Sequence, residues 1–104
     1  MATVRWTVGA RADLRDIVMY ISQDSAVYAA AWAGRIVATV ERLRQFPSRG
    51  RIVPEYQEPT LRELIVGNYR VVYRIQRRRV GIIAIVHASR DLLRQLPSAP
   101  WDFN

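Results

Sequence analysis

From Thr3 to Val8, TVRWTV, polar and apolar positions alternate and β-branched and aromatic side chains dominate, which predicts a first strand. The period changes after Ala10. Leu14, Ile17, Val18 and Ile21 fall at i, i+3, i+4 and i+7, one stripe of a helix over residues 10–23. Asp13 and Asp16 sit in its early turns, where carboxylates suit the positive end of the macrodipole. QDS interrupts, and Asp24 or Ser25 can cap a second helix over residues 26–45. Its buried stripe is Trp32, Ile36, Val40 and Leu43, and the alanines at 29–31 and 33 leave room for the first helix to approach. A link this short predicts an antiparallel helix hairpin, ended by Pro47 and SRG.

Residues 48–60, with two prolines and a glycine, predict an irregular crossing to a sheet. Three strand-like runs follow. Gly67-Asn68 between the first two is a two-residue hairpin signal, with glycine first as a type II′ turn requires. That register sets Val66 against Tyr69, Leu64 against Val71 and Arg62 against Tyr73. One face then carries Leu64, Val66, Tyr69, Val71, Tyr73 and Ile75; the other carries Glu63, Ile65, Arg70, Val72 and Arg74. With Arg77-Arg78 as the next turn, Val80, Ile82, Ala84 and Val86 extend the apolar face, and Ile83, Ile85 and His87 join the arginines. The fold class is α+β: an N-terminal strand, a helix hairpin and a three-stranded antiparallel meander, with the helices on the apolar face. Residues 1–97 form one domain, DLLRQL after Arg90 predicts a last short helix, and 98–104 a loose tail carrying Trp101 and Phe103.

Composition narrows the function. A chain of 104 residues, half of them hydrophobic, can bury a core without staples, and the absence of cysteine removes disulfides and thiolate zinc sites together. One histidine and no spaced carboxylate cluster predict no metal site and no cofactor. The longest apolar stretch, GIIAIV, is too short to cross a bilayer, and MATVRWTV lacks the apolar run of a signal peptide, so the expectation is a cytoplasmic protein without a membrane partner. The net charge is +7, and all sixteen basic residues are arginine. Each is a planar fork suited to phosphate or carboxylate, which favours acidic partners.

The second sheet face is the candidate site: arginines near His87 and Glu63 could grip phosphates and move a proton. The plain structural alternative is a cross-strand ion pair of Glu63 with Arg70 and Arg74.

In order, RWT, ARADLRDIVMYI, VERLRQFPSRGR, VPEY, LRELIVGNYRVVYRI and IVHASRDL resemble the RelE/ParE superfamily of type II toxins, from about Val4 to Leu96. FPSRGR, LREL and YRVVYRI carry most of the likeness. The resemblance implies a small toxin neutralised by an antitoxin with an acidic, partly disordered segment. RelE-like members are ribosome-dependent ribonucleases that cut mRNA; ParE-like members poison DNA gyrase by binding. Carried across residue by residue, Arg90 in HASR matches a catalytic arginine. The family's strand arginine just before the hairpin falls near Val66, with Arg62 the nearest basic residue, and the C-terminal tyrosine of RelE falls near Leu96. His87 could serve as acid or base. A ribonuclease would therefore draw on Arg62, Arg70, His87 and Arg90. A binding-only toxin would use Arg70, Arg74, Arg90, Trp101 and Phe103 as partner contacts. The absent lysines and the alanine-rich hairpin with YISQDSAVYAAAW look more like ParE. A third reading is a non-toxic basic nucleic-acid-binding module, although neither interleaved exposed aromatics nor a helix-turn-helix pattern supports it.

Overall fold

The computed structural model describes residues 1–90. The short helix expected after Arg90, the domain limit at residue 97 and the tail with Trp101 and Phe103 lie outside the described residues. The elements run β1 (Thr3–Trp6), α1 (Val8–Ser22), α2 (Ala26–Glu41), a 3₁₀ turn over Arg42–Arg44, β2 (Arg51–Ile52), β3 (Leu61–Val66), β4 (Tyr69–Gln76) and β5 (Arg79–His87). The strands form one mixed sheet in the order β1-β5-β4-β3-β2. The expected meander is its centre. β1 joins it parallel to β5, and the two-residue β2 adds antiparallel to β3.

Local chemistry sets the helix boundaries. Thr7 caps α1 through its hydroxyl, which accepts the Ala10 amide at 3.1 Å, and Ser25 caps α2 by accepting the Tyr28 amide at 3.0 Å. The two helices pack on one sheet face. There Trp32, Ile36, Val40 and Leu43 are buried against Val66, Val71, Tyr73, Val80 and Ile82, while Leu14, Ile17, Val18 and Ile21 close the cluster from α1. A smaller cluster of Val53, Leu61, Val72, Ala84 and Val86 lies on the opposite face, under the 53–60 loop.

The first hairpin has the expected register, Val66 on Tyr69 and Arg62 on Tyr73, with Gly67 at φ 59°. The third strand departs from expectation. Its turn is as predicted, with Gln76 opposite Arg79, but Ile82 pairs with Tyr73 and Ala84 with Val72, so Ile83 is an extra, bulged residue. Beyond it every side chain changes face. Ile85 and His87 lie on the helix face, and Ala84 and Val86 on the other. The assignment of His87 to the face of Arg70 and Arg74 is thereby corrected.

The bulge sits where β1 ends and α1 begins. β1 covers the outer edge of β5 only as far as Ile82. There the Thr7 amide and hydroxyl donate to the Ile82 carbonyl at 3.0 and 2.8 Å, and the Asp13 carboxylate accepts the Ile85 amide at 3.0 Å. The N-cap of α1 and a side chain from its second turn thus satisfy backbone groups of β5 at the point where β1 ends.

Candidate functional site

On the face away from the helices, Arg70 is the hub of an ion network. Its Nη1 and Nη2 each donate to one Glu55 oxygen at 2.7 Å, a bidentate pair, and its Nε donates to Glu63 Oε1 at 2.7 Å. Nη1 also donates to the Arg90 carbonyl at 3.2 Å. Arg51 Nε reaches the other Glu63 oxygen at 2.6 Å. The Glu63 side chain is 0% exposed and that of Arg70 6%, so this is an internal pair with both carboxylate oxygens occupied. The hydrogen bonds to Glu55, and then those to Glu63, hold the guanidinium pKa above its ordinary value. Every nitrogen of Arg70 is hydrogen-bonded within the chain.

Arg62 is also occupied with its own backbone. Its Nε donates to the Pro59 carbonyl at 2.8 Å and its Nη1 to the Gly50 carbonyl at 3.0 Å, tying the crossing loop to β3. Beside it, the buried Tyr73 hydroxyl donates to the Pro47 carbonyl and accepts the Gly50 amide, both at 2.8 Å. Burial pushes this phenol above its usual pKa, against the lowering effects of the Gly50 bond and of Arg62. Gly50 is required here, since a Cβ would lie 2.6 Å from the Glu63 carbonyl oxygen. The FPSRGR and YRVV segments are therefore bound to each other in space. Arg74, half-buried, lies on the second face across from Leu61 and Gly81.

The end of the sheet beside the Gly67 turn holds a different group. An open cleft of about 580 Å³ separates α1 from β5, lined by Asp13, Ile17, Tyr20, Tyr69, His87 and Arg90. His87 Nδ1 accepts the Ser89 amide at 3.2 Å and lies 2.7 Å from the Ser89 hydroxyl. The neutral ring consequently carries its proton on Nε2. The ring meets Tyr69 edge-on at 5.5 Å, and Tyr69 meets Trp32 at 5.1 Å, so an aromatic chain ties the rim to the core. Burial, with Tyr20 and Tyr28 nearby, raises the Tyr69 pKa, which keeps its hydroxyl protonated at neutral pH. Burial likewise raises the Asp13 pKa; the Ile85 hydrogen bond opposes this and Asp16 adds to it. The Arg90 amide donates to the His87 carbonyl at 3.0 Å, and its exposed side chain lines the cleft.

The four residues named for cleavage are thus not one constellation. His87 and Arg90 meet at the cleft, Arg70 is locked beneath the opposite face, and Arg62 is tied to the crossing loop. Sequence reasoning missed Asp13, Tyr20 and Tyr69 as cleft residues. Asp13, Ile17 and Tyr20 do stand at i, i+4 and i+7, a helix-face signal overlooked because a carboxylate leads it. Glu55 sits in an irregular loop, and no local pattern marks it. Among the described residues no group of three metal-ligating side chains occurs, and no helix is long and apolar enough to cross a membrane.

A helix hairpin clamped on a mixed sheet matches the fold of chains from known type II toxin–antitoxin systems. A family model of the "ParE toxin of type II toxin-antitoxin system, parDE" matches residues 4–92. "Toxin RelE2" of Caulobacter vibrioides is 40% identical over 91 residues, covering 86% of this chain and 99% of that protein. Among solved structures, a chain of the chromosomal ParDE system from P. aeruginosa superposes with a TM-score of 0.71 at 25% identity, covering 86% of this chain and 98% of that one. A chain of the RelBE2 toxin–antitoxin complex from Mycobacterium tuberculosis gives 0.58 at 27% identity, covering 83% and 96%. The chain belongs to the ParE toxin family of type II toxin–antitoxin systems, within the RelE/ParE superfamily.

Proposed function

We propose that this toxin acts by binding, as a ParE-like inhibitor of DNA gyrase, and that a cognate antitoxin neutralises it through an acidic, partly disordered segment. The observation that carries the reading is the state of Arg70. A ribonuclease needs several cations aimed at the scissile phosphate, to hold the charge of its transition state. Here Arg70 is consumed by Glu55 and Glu63, Arg62 donates to backbone carbonyls, and lysine is absent from the chain. Among the described residues, the cleft holds one arginine and one histidine. The surface suits docking instead. Met19, Tyr20, Val27 and Tyr28 are each at least 60% exposed around the tip of the helix hairpin, next to the cleft. An exposed group of large apolar side chains of this kind marks a protein contact. The antitoxin proposal draws on the ParDE and RelBE2 systems to which the fold is similar. It draws also on exposed arginines whose forks match carboxylates.

The second reading, mRNA cleavage on the ribosome, is favoured by one feature: His87, its Nδ1 fixed by Ser89 and its Nε2–H directed outward, stands beside Arg90. A gyrase supercoiling assay with the purified chain separates the two. Inhibition by wild type that persists in His87→Ala supports binding. Unimpaired supercoiling at saturating toxin, together with translation-dependent mRNA cleavage lost in His87→Ala, would overturn it.

A further inference from the structure

The end of the sheet opposite the cleft gathers basic charge. Arg77 and Arg78 form the β4–β5 turn, and Arg79 opens β5 beside Thr3 of β1. The Thr3 amide donates to the Arg78 carbonyl and the Ala2 amide to the Arg44 carbonyl, both at 2.8 Å, which brings the 3₁₀ turn with Arg42 to the same end. Arg5 follows two residues along β1. Arg5, Arg42, Arg77, Arg78 and Arg79 are all exposed, and none has an ion pair among the described residues. Of the carboxylates towards this end, Glu41 is taken by Arg44 at 2.6 Å, and Glu58, beside the start of β3, accepts the Thr60 amide and hydroxyl at 3.4 and 3.2 Å. Asp16 and Asp24 lie towards the other end, on α1 and at the hairpin tip.

The turn itself supplies a second, independent argument. Both hairpins of the meander use two-residue turns whose first residue has φ 59°, glycine at 67 and arginine at 77. That left-handed conformation crowds any residue with a Cβ. Folding alone would favour glycine or asparagine at 77, as at 67, so the strained arginine keeps charge at the tip.

We propose that this pole is a phosphate-backbone binding surface for a nucleic-acid duplex, separate from the cleft and the hairpin tip. Planar guanidinium forks on a projecting turn and an exposed strand start match phosphate oxygens spaced along a backbone. The contacts are sequence-independent and respond to salt through counterion release.

The test is fluorescence anisotropy of the full chain with labelled DNA and RNA duplexes of about 20 base pairs, across about 50–200 mM salt. Five phosphate contacts predict a slope of log affinity on log salt of about −4.5, an affinity loss of about 500-fold over that range. The triple variant Arg77→Gly, Arg78→Gln, Arg79→Gln should flatten the slope to about −1.8, a loss of about 12-fold. Glycine suits the left-handed turn position, so the variant should fold. Arg78→Glu alone, at an exposed turn position, should weaken binding in the same direction. The control Arg11→Gln, Arg15→Gln, Arg35→Gln removes equal charge from the helices and should keep the wild-type slope. A stronger effect on DNA or on RNA names the source of the phosphates. No binding of either duplex at about 50 mM salt overturns the proposal. So does an equal effect of the control variant, which would reduce the attraction to net charge.

Discussion

Replacing Arg70 by methionine separates a structural role from a catalytic one. The substitution keeps an unbranched side chain but removes the hydrogen-bond partner of Glu63 Oε1 among the described residues and the bidentate partner of Glu55. Glu63, with a side chain 0% exposed, is left with Arg51, whose own side chain is 62% exposed. Stranding one member of a buried pair costs about 3–5 kcal/mol, a large share of the roughly 5–15 kcal/mol that holds a domain together. Urea unfolding followed by circular dichroism reads this directly. With an m-value of about 1–3 kcal/mol/M, a loss of about 4 kcal/mol moves the midpoint down by at least about 1.3 M. Removing the stranded charge should restore much of it. In Glu63→Gln/Arg70→Met the neutral amide no longer needs a cation, so the double variant should be more stable than the sum of the singles by about 2 kcal/mol. An Arg70→Met protein within about 1 kcal/mol of wild type, or strict additivity in the cycle, would refute the reasoning. If such a stable variant were also non-toxic, Arg70 would return to the list of chemical residues.

Three further outcomes are expected. Tyr73→Phe leaves the Gly50 amide and the Pro47 carbonyl without their partner in a buried site, and should cost about 1–3 kcal/mol in the same urea assay. Asp13→Asn keeps an acceptor for the Ile85 amide and removes a charge that burial penalises. Because the folded pKa of Asp13 is raised, its contribution to stability is complete below the unfolded value near 3.8 and is lost as pH rises through the folded one. The substitution should therefore raise Tm at pH 7, with the gain vanishing towards acid; a lower Tm at pH 7 would contradict the assignment. Gly50→Ala drives a Cβ to 2.6 Å from a backbone oxygen and 2.7 Å from the Tyr73 hydroxyl, so it should yield mostly insoluble chain at an expression temperature that keeps wild type soluble.

Much of this fold was legible because its signals are local. The stripe from Trp32 to Leu43, the Ser25 cap and the Gly67-Asn68 turn each reflect one physical preference, and the structure contains all of them. What was hidden depends on neighbours distant in sequence. GIIAIV in β5 is apolar on both faces, so alternation cannot reveal a bulge. Ile83 is displaced because Thr7 and Asp13, more than seventy residues earlier, serve its strand's edge. That one residue moves His87 from the arginine face to the cleft. The pairing of Glu63 with Arg70 could be anticipated from the hairpin register. Glu55, which completes it, comes from an irregular loop held partly by its own turns at Val53 and Glu58 and partly by Arg62 on the Pro59 carbonyl, none of which marks residue 55 in the sequence.

The central claim, a toxin that acts by binding gyrase, is tested most directly by inducing the chain without an antitoxin and pulse-labelling DNA and protein synthesis through the first minutes. DNA synthesis falling first while translation continues is the predicted result, and it should hold for His87→Ala. Translation collapsing first, with DNA synthesis following later, would contradict the claim and place the chemistry at His87 and Arg90.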